Sequence, residues 1–433
     1  MANNGWSRRQ VLKQMVGVAG TLALHPERAL AKTATATAAE SCEIRVFLIS
    51  PHTVRLSIVP LAHGQAGAVP ADGSLVKTDW GKPLAVLRGQ WRSQTITAAN
   101  LQVRADAEPF LFRIADGKGK PIQRLNVDPH TGVVTFETGD SPLFGLGEGG
   151  PQFDRRGSVD RMINGQGGYE LDTHGARVPI PWIIGTAGWA MFFHQPFGTF
   201  DLTGPECKFL PASPNQALPL DLFFVASTDP ATIVAEYARL TGHAELPPLW
   251  SLGYQQSHRT LASREEVLDE ARTFREKKLP CDALIYLGTG FCPSGWNTAN
   301  GSFAWNSRVF PDPAEMLAEL HRENFRAVLH AVILADRLRG AVRDPCHLSR
   351  FDEQEASCYW DAHRQDFAMG VDGWWPDEGD PLDIPSRLAR NRMYWEGPQL
   401  DRPNQRPYAL HRNGYAGMQR YASFLWSGDV YST

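Results

Sequence analysis

An antiparallel β-sandwich followed by a (β/α)8 TIM barrel is the architecture this sequence predicts, on three observations. Between about 40 and 230, short alternating or apolar runs recur with turn clusters between them. After Leu246-Pro247-Pro248-Leu249 the rhythm changes to strand, helix, strand, helix, which requires a parallel sheet with crossover helices. Finally, Gly370-Val371-Asp372-Gly373-Trp374-Trp375-Pro376-Asp377-Glu378-Gly379-Asp380 begins apolar, like the tail of a buried parallel strand, and ends in three carboxylates within four residues.

A length of 433 residues suits two or three domains with ample core. Thirteen Trp, 21 Phe and 10 Tyr suit carbohydrate handling, and equally any large β-rich core. The formal charge of −4 comes without a basic tract, which argues against nucleic acid as a partner. Nothing in the letters sets an oligomeric state.

The first 31 residues read as an export leader. Ser7-Arg8-Arg9-Gln10-Val11-Leu12-Lys13 resembles the twin-arginine signature; a modestly apolar run from Met15 to Leu24 follows, and Ala29-Leu30-Ala31 offers an A-x-A cleavage site. A periplasmic or secreted protein is expected, with no membrane association after cleavage, because no segment is long and apolar enough to span a bilayer. The six cysteines show neither a CxxC pair nor zinc spacing and read as mostly buried thiols.

The β region, expected over 32–240, is built from runs at Glu43–Leu48, Thr53–Ile58, Leu101–Ala105, Phe110–Ile114, Val133–Glu137, Trp182–Ile184, Trp189–Phe193 and Leu220–Val225. Two segments within it stand out. Phe144-Gly145-Leu146-Gly147-Glu148-Gly149-Gly150 is too glycine-rich for a strand, and no helix follows in the register that phosphate binding needs. Gly168-Tyr169-Glu170-Leu171-Asp172-Thr173-His174 is a polar loop that either reaches over a neighbouring site or simply lies on the surface.

The barrel, expected over 241–433, opens with Trp250–Gln256 as strand one. Ser263-Arg264-Glu265-Glu266 is a capping box that starts a helix with apolar Val267, Leu268, Ala271 and Phe274. Ala283–Leu287 is strand two, and a long loop with Phe291, Trp296, Phe303 and Trp305 follows it. Asp312-Pro313-Ala314-Glu315 starts the next helix, and Ala327–Leu334 is strand three. Strands four to six fall at Gly370–Pro376, Tyr408–His411 and Phe424–Trp426, about six of the eight a closed barrel needs. A carboxylate beside indoles at the C-terminal end of a barrel strand suits sugar cleavage, although an acidic surface turn after a core strand has the same letters.

Together, Gly145-Leu146-Gly147-Glu148, Phe310-Pro311-Asp312-Pro313, Trp375-Pro376-Asp377, Arg412-Asn413-Gly414-Tyr415-Ala416-Gly417 and Trp426-Ser427-Gly428-Asp429 resemble glycoside hydrolase family 31 from about residue 140 onward. The resemblance implies a retaining α-glycosidase of the α-glucosidase/α-xylosidase type, acting on an oligosaccharide or glycoside without metal or organic cofactor. It places the nucleophile on Asp377 and the acid/base on Asp429. Arg412 becomes the sugar-contacting arginine, and Asp172 is the looser match to a loop aspartate lent by the β domain. Trp375 and Trp426 are the candidate walls of the sugar site. An α-transglycosylase with the same nucleophile and a non-catalytic glycan-binding protein are the alternatives.

Two departures follow from the same resemblance. Leu287-Gly288-Thr289-Gly290-Phe291 stands where many members carry an aspartate pair that reads sugar hydroxyls, so α-glucose specificity is not implied. The chain stops at Thr433, just past Asp429, so two further βα units, distal β-domains and a pocket histidine are expected in a longer protein.

Overall fold

A computed structural model describes residues 41–89, 91–149, 152–164, 177–213, 217–258, 263–286, 288, 292, 294–333, 346, 352–380, 382–422 and 424–426. The proposed leader lies outside these residues.

The β region forms two antiparallel sheets. In spatial order the first runs Leu143–Glu148, Val178–Gly185, Trp189–Gln195, Leu220–Ala226, Thr53–Ala62, Cys42–Ser50 and Ala85–Arg88, with Gln65–Ala66 paired to Thr53–Ala62. The second runs Val159–Asp160, Gly198–Asp201, Glu206–Pro211, Val134–Glu137, Pro121–Val127, Leu111–Asp116, Leu101–Asp106 and Gln94–Ala98. Ile44, Val46, Leu56 and Met191 from the first sheet share one buried cluster with Val103, Phe112, Leu125 and Phe209 from the second. Strand alternation explains this: the inward residues of each sheet remove one apolar face from water.

The glycine-rich segment is a strand after all. Leu143–Glu148 pairs antiparallel with Val178–Gly185, with a register shift between Gly145 and Gly147. Gly145, Leu146 and Gly147 all take positive φ (96°, 64° and 87°). A Cβ on Gly145 or Gly147 would collide with the carbonyl oxygen of Trp182 or Val178. The glycines therefore mark a distorted strand pressed against its neighbour.

Across three central strands of the first sheet lies a buried charged cluster. The two His194 ring nitrogens meet Asp221 at 2.7 Å and Asp72 at 3.2 Å, and Arg55 forks onto Asp221 at 2.7 and 3.1 Å. Burial alone lowers the imidazole's pKa, but the bonds to Asp221 and Asp72 outweigh it and raise the group from 6.5 to about 9. Stability from this charged ring is complete below 6.5 and is lost as pH climbs through about 9; at roughly 1.4 kcal/mol per unit, about 3 kcal/mol is at stake. Urea unfolding of wild type and His194→Gln should show a gap that narrows between pH 6 and 10. A gap independent of pH would mean that the charge contributes nothing.

The second region contains parallel strands β1 (Gln255–His258), β2 (Ala283–Tyr286), β3 (Arg326–Ile333) and β4 (Gly373–Glu378) in one sheet, and β5 (Leu410–His411) paired with β6 (Phe424–Leu425). The parallel bridge Trp374–Ala409 joins the two sets, so six described strands follow one another in chain order. Helices α1 (Arg264–Glu276), α2 (Pro313–Arg322), α3 (Glu353–Met369) and α4 (Ile384–Asp401) separate them. Ser263 caps α1 by accepting the Glu266 N–H at 3.2 Å, whereas Asp312 at the start of α2 makes no capping bond with its side chain. No described helix is long and apolar enough to cross a membrane.

Strand one begins later than the apolar run suggests. Leu249–Leu252 is a 3₁₀ turn, closed by the Ser251 hydroxyl donating to the Pro248 carbonyl at 2.6 Å. Pairing starts only at Gln255, because the two prolines and Gly253 keep the intervening residues out of a ladder. Trp296, Phe303 and Trp305 of the aromatic loop are core residues, with rings packed against one another and against Phe310 and Trp374. Cys346 and Cys358 form a disulfide, an exception to the reading of the cysteines as mostly buried thiols; Cys42, Cys207 and Cys281 are buried and lie outside that bond.

Alternation along the strands sorts residues by face. Leu284, Tyr286, Leu329, Ala331 and Trp374 join the cluster beneath the helices, while Ala283, Ile285, Val328 and Tyr408 form the inner cluster with Trp375, Leu410 and Phe424. By the same period of two, His330 and Asp377 belong to the inner face.

Candidate active site

The end of β4 is built to aim one carboxylate. Glu378 has φ 56° and Gly379 φ 83°, so the chain turns sharply just past Asp377. A left-handed glutamate costs about 1–2 kcal/mol, and surrounding donors hold it there. The fully buried Arg390 guanidinium of α4 donates to the carbonyls of Asp377 at 2.6 Å and Glu378 at 2.9 Å. Asn413 donates to the same Glu378 carbonyl. A Cβ on Gly379 would sit 2.7 Å from the Arg390 guanidinium, so a side chain there breaks the turn twice over.

Asp377 is 3% exposed and accepts from three donors. Oδ1 takes the Glu378 N–H at 2.7 Å and the Arg412 guanidinium at 3.1 Å. Oδ2 lies 2.9 Å from His330 Nε2. Arg412 also grips Asp380 at 2.6 Å, and Asn164, from the β region, donates to the other Asp380 oxygen at 3.2 Å. The ring of Trp375 stands 4.7 Å from that of His330 and 4.9 Å from that of Trp426, near-perpendicular to Trp426 at 82°. The Arg412 guanidinium lies 5.9 Å from the Trp426 ring centre.

Electrostatics separate the three neighbouring acids. Burial works to raise the Asp377 pKa, but the His330 hydrogen bond, the Glu378 amide and the Arg412 charge outweigh it, leaving the carboxyl below its ordinary value. Burial pushes Glu378 up, and it pushes Asp380 up by more than Arg412 pulls it down. Asp377 is thus the member of the trio whose ionised form its surroundings favour, as attack by a carboxylate requires.

Four of the six candidates from the sequence, Trp375, Asp377, Arg412 and Trp426, come together here. Asp172 and Asp429 lie outside the described residues. His330, Asp380, Asn164, Arg390 and Asn413 were not anticipated. For His330 a signal was available: a histidine in the middle of the apolar run Ala327–Ile333 is a buried polar group that needs a partner.

A parallel barrel-type sheet with its polar site at the C-terminal strand ends defines the class of protein. Residues 244–339 and 336–433 match the family described as "Glycosyl hydrolases family 31 TIM-barrel domain". The alpha-xylosidase of Saccharolobus solfataricus is 23% identical over 295 residues, 60% of this chain and 39% of the relative. Alpha-glucosidase 2 of Bacillus thermoamyloliquefaciens is 24% identical over 400 residues, 77% of this chain and 50% of the relative. In fold, the chain is similar to the GH31 dextranase of Flavobacterium johnsoniae complexed with glucose, with TM-score 0.76, 20% identity, and coverage of 90% of this chain and 54% of that one. The region 244–433 of this chain thus carries the barrel domain of glycoside hydrolase family 31. The chain spans half or less of the length of those two curated relatives.

Proposed function

We propose that the protein is a retaining α-glycosidase that opens terminal α-glycosidic bonds of oligosaccharides through a glycosyl-aspartate intermediate. The observation that carries this is Asp377: a buried carboxylate, held ionised by three donors, beside two indoles at a barrel strand's C-terminal end. In the first step Asp377 attacks the anomeric carbon while Asp429 gives its proton to the departing oxygen. In the second, Asp429 takes a proton from water, which attacks the same carbon and releases Asp377. Arg412 ties Asp377 to Asp380, and the faces of Trp375 and Trp426 offer apolar surface to a sugar ring. Asp172 is assigned to the sugar pocket on its motif match alone.

The relatives' names support the substrate class: they are called alpha-xylosidase and alpha-glucosidase, and one, from Sporosarcina globispora, 1,6-alpha-glucosyltransferase. The twin-arginine leader supports action outside the cytoplasm, and we place the boundary between a β-sandwich domain and a catalytic barrel near residue 240. Aryl α-glucoside, α-xyloside and α-galactoside offered to the full chain test the reading. Release of the aryl alcohol from at least one is expected, with the free sugar first appearing as the α-anomer. Sugar appearing only as transfer products would make the protein a transglycosylase. Binding of these glycosides without any turnover would make it a glycan-binding protein.

A further inference from the structure

His330 sits mid-β3, 1% exposed, and both ring nitrogens are engaged. The Gly288 backbone N–H approaches Nδ1 at 3.3 Å. A backbone N–H can only donate, so Nδ1 accepts and the ring's proton sits on Nε2, facing Asp377 Oδ2. The residue is held at two further points. Trp296 Nε1 donates to the His330 carbonyl at 2.8 Å, and Trp375 packs against the imidazole.

The two oxygens of Asp377 are not equivalent. Each carboxylate oxygen has about two lone-pair sites. On Oδ1 both are taken, by the Glu378 amide and Arg412; on Oδ2, among the described residues, one is taken by His330. The open site is therefore on Oδ2. We propose that Oδ2 is the oxygen that bonds to the anomeric carbon, and that His330 is the donor that receives it when it departs in the second step.

This deepens the glycosidase reading and rests on it. In the first step an Oδ2 electron pair forms the bond to the anomeric carbon as the bond to the leaving oxygen breaks, and that oxygen takes the acid's proton. Oδ2 loses its charge, and the His330 hydrogen bond weakens. In the second step water bonds to the same carbon and gives its proton to the base. The carbon–Oδ2 bond breaks, its electron pair returns to Oδ2, and the Nε2–H bond tightens again. A donor on Oδ2 thus stabilises the carboxylate as ground state in the first step and as leaving group in the second. Its loss slows the second step selectively, which a merely structural role would not do.

The test compares His330→Leu, which has no donor, with His330→Gln, whose amide reaches toward Oδ2. On an aryl glycoside with a good leaving group, H330L should lower kcat and KM together by about 100-fold. Its kcat/KM should change less than tenfold, with a burst of aryl alcohol as the glycosyl-enzyme accumulates, and H330Q should recover most of kcat. If H330L does not fold, His330→Asn, whose amide stops short of Oδ2, replaces it.

A second readout needs no turnover: the 13C-observed titration of the Asp377 carboxyl, assigned by its loss in Asp377→Asn. Its midpoint should rise in H330L and stay near wild type in H330Q. The other groups facing Asp377, which are Arg412, Glu378, Asp380 and the backbone-bound Arg390, are unchanged in both variants. If wild type turns over and H330L loses kcat/KM as steeply as kcat, without a burst, the proposal is overturned and the glycosidase reading stands. H330Q as slow as H330L also overturns it. A wild type that cleaves no glycoside, with the carboxyl midpoint still displaced in H330L, overturns the glycosidase reading instead and takes the departure step with it.

Discussion

Asp377→Ala is expected to lower turnover by about 10⁴-fold or more, since it removes the carboxylate assigned to form the covalent bond that splits the reaction into two easier steps. The fold should survive. Arg412 keeps Asp380 as a partner, and the turn after β4 is held through main-chain carbonyls by Arg390 and Asn413 rather than through the Asp377 side chain. The clear loss is at His330, whose buried Nε2–H is left without that acceptor, a cost of about 1–3 kcal/mol. Thermal melting a few degrees lower, with activity gone, is the expected pair of results. Unaltered activity would remove Asp377 from the chemistry altogether.

Asp429→Asn should separate substrates by their leaving groups. An asparagine cannot supply a proton, so glycosides with poor leaving groups are expected to slow by about 10²–10⁴-fold, while activated aryl glycosides lose far less in the first step. Azide, which needs no general base, should restore part of the rate on activated substrates and give the α-glycosyl azide. Equal losses across leaving groups would assign Asp429 some other task.

How far the letters disclosed this arrangement depends on the kind of interaction. Trp375 and Asp377 were legible because an apolar run ending in acids is a local pattern, and Ser263 was legible because a capping box spans four residues. Arg412 and Trp426 were found through motif resemblance, not periodicity, since β5 and β6 have only two residues each. Helix α4 was not read at all. Arg390, Asn391 and Ser386 are buried on it and interrupt the apolar stripe that would have marked it, because that face serves the β4 turn as well as the core. The roles of His330, Asp380 and Asn164 are relations between distant segments, such as Asn164 with Asp380, and no local window contains them. The pairing of Cys346 with Cys358 is likewise a fact of proximity, with Cα atoms 5.9 Å apart, which a separation of 12 residues in the sequence does not disclose.

Which carboxylate attacks the anomeric carbon is answered most directly by covalent trapping. A fluorinated glycosyl fluoride of the sugar that the full chain cleaves should form a long-lived adduct, because fluorine slows both steps while the good leaving group preserves the first. Peptide mapping by mass spectrometry is predicted to find one sugar, on Asp377. A label on Glu378 or Asp380, both of which burial pushes toward the protonated form, would contradict the assignment of the nucleophile.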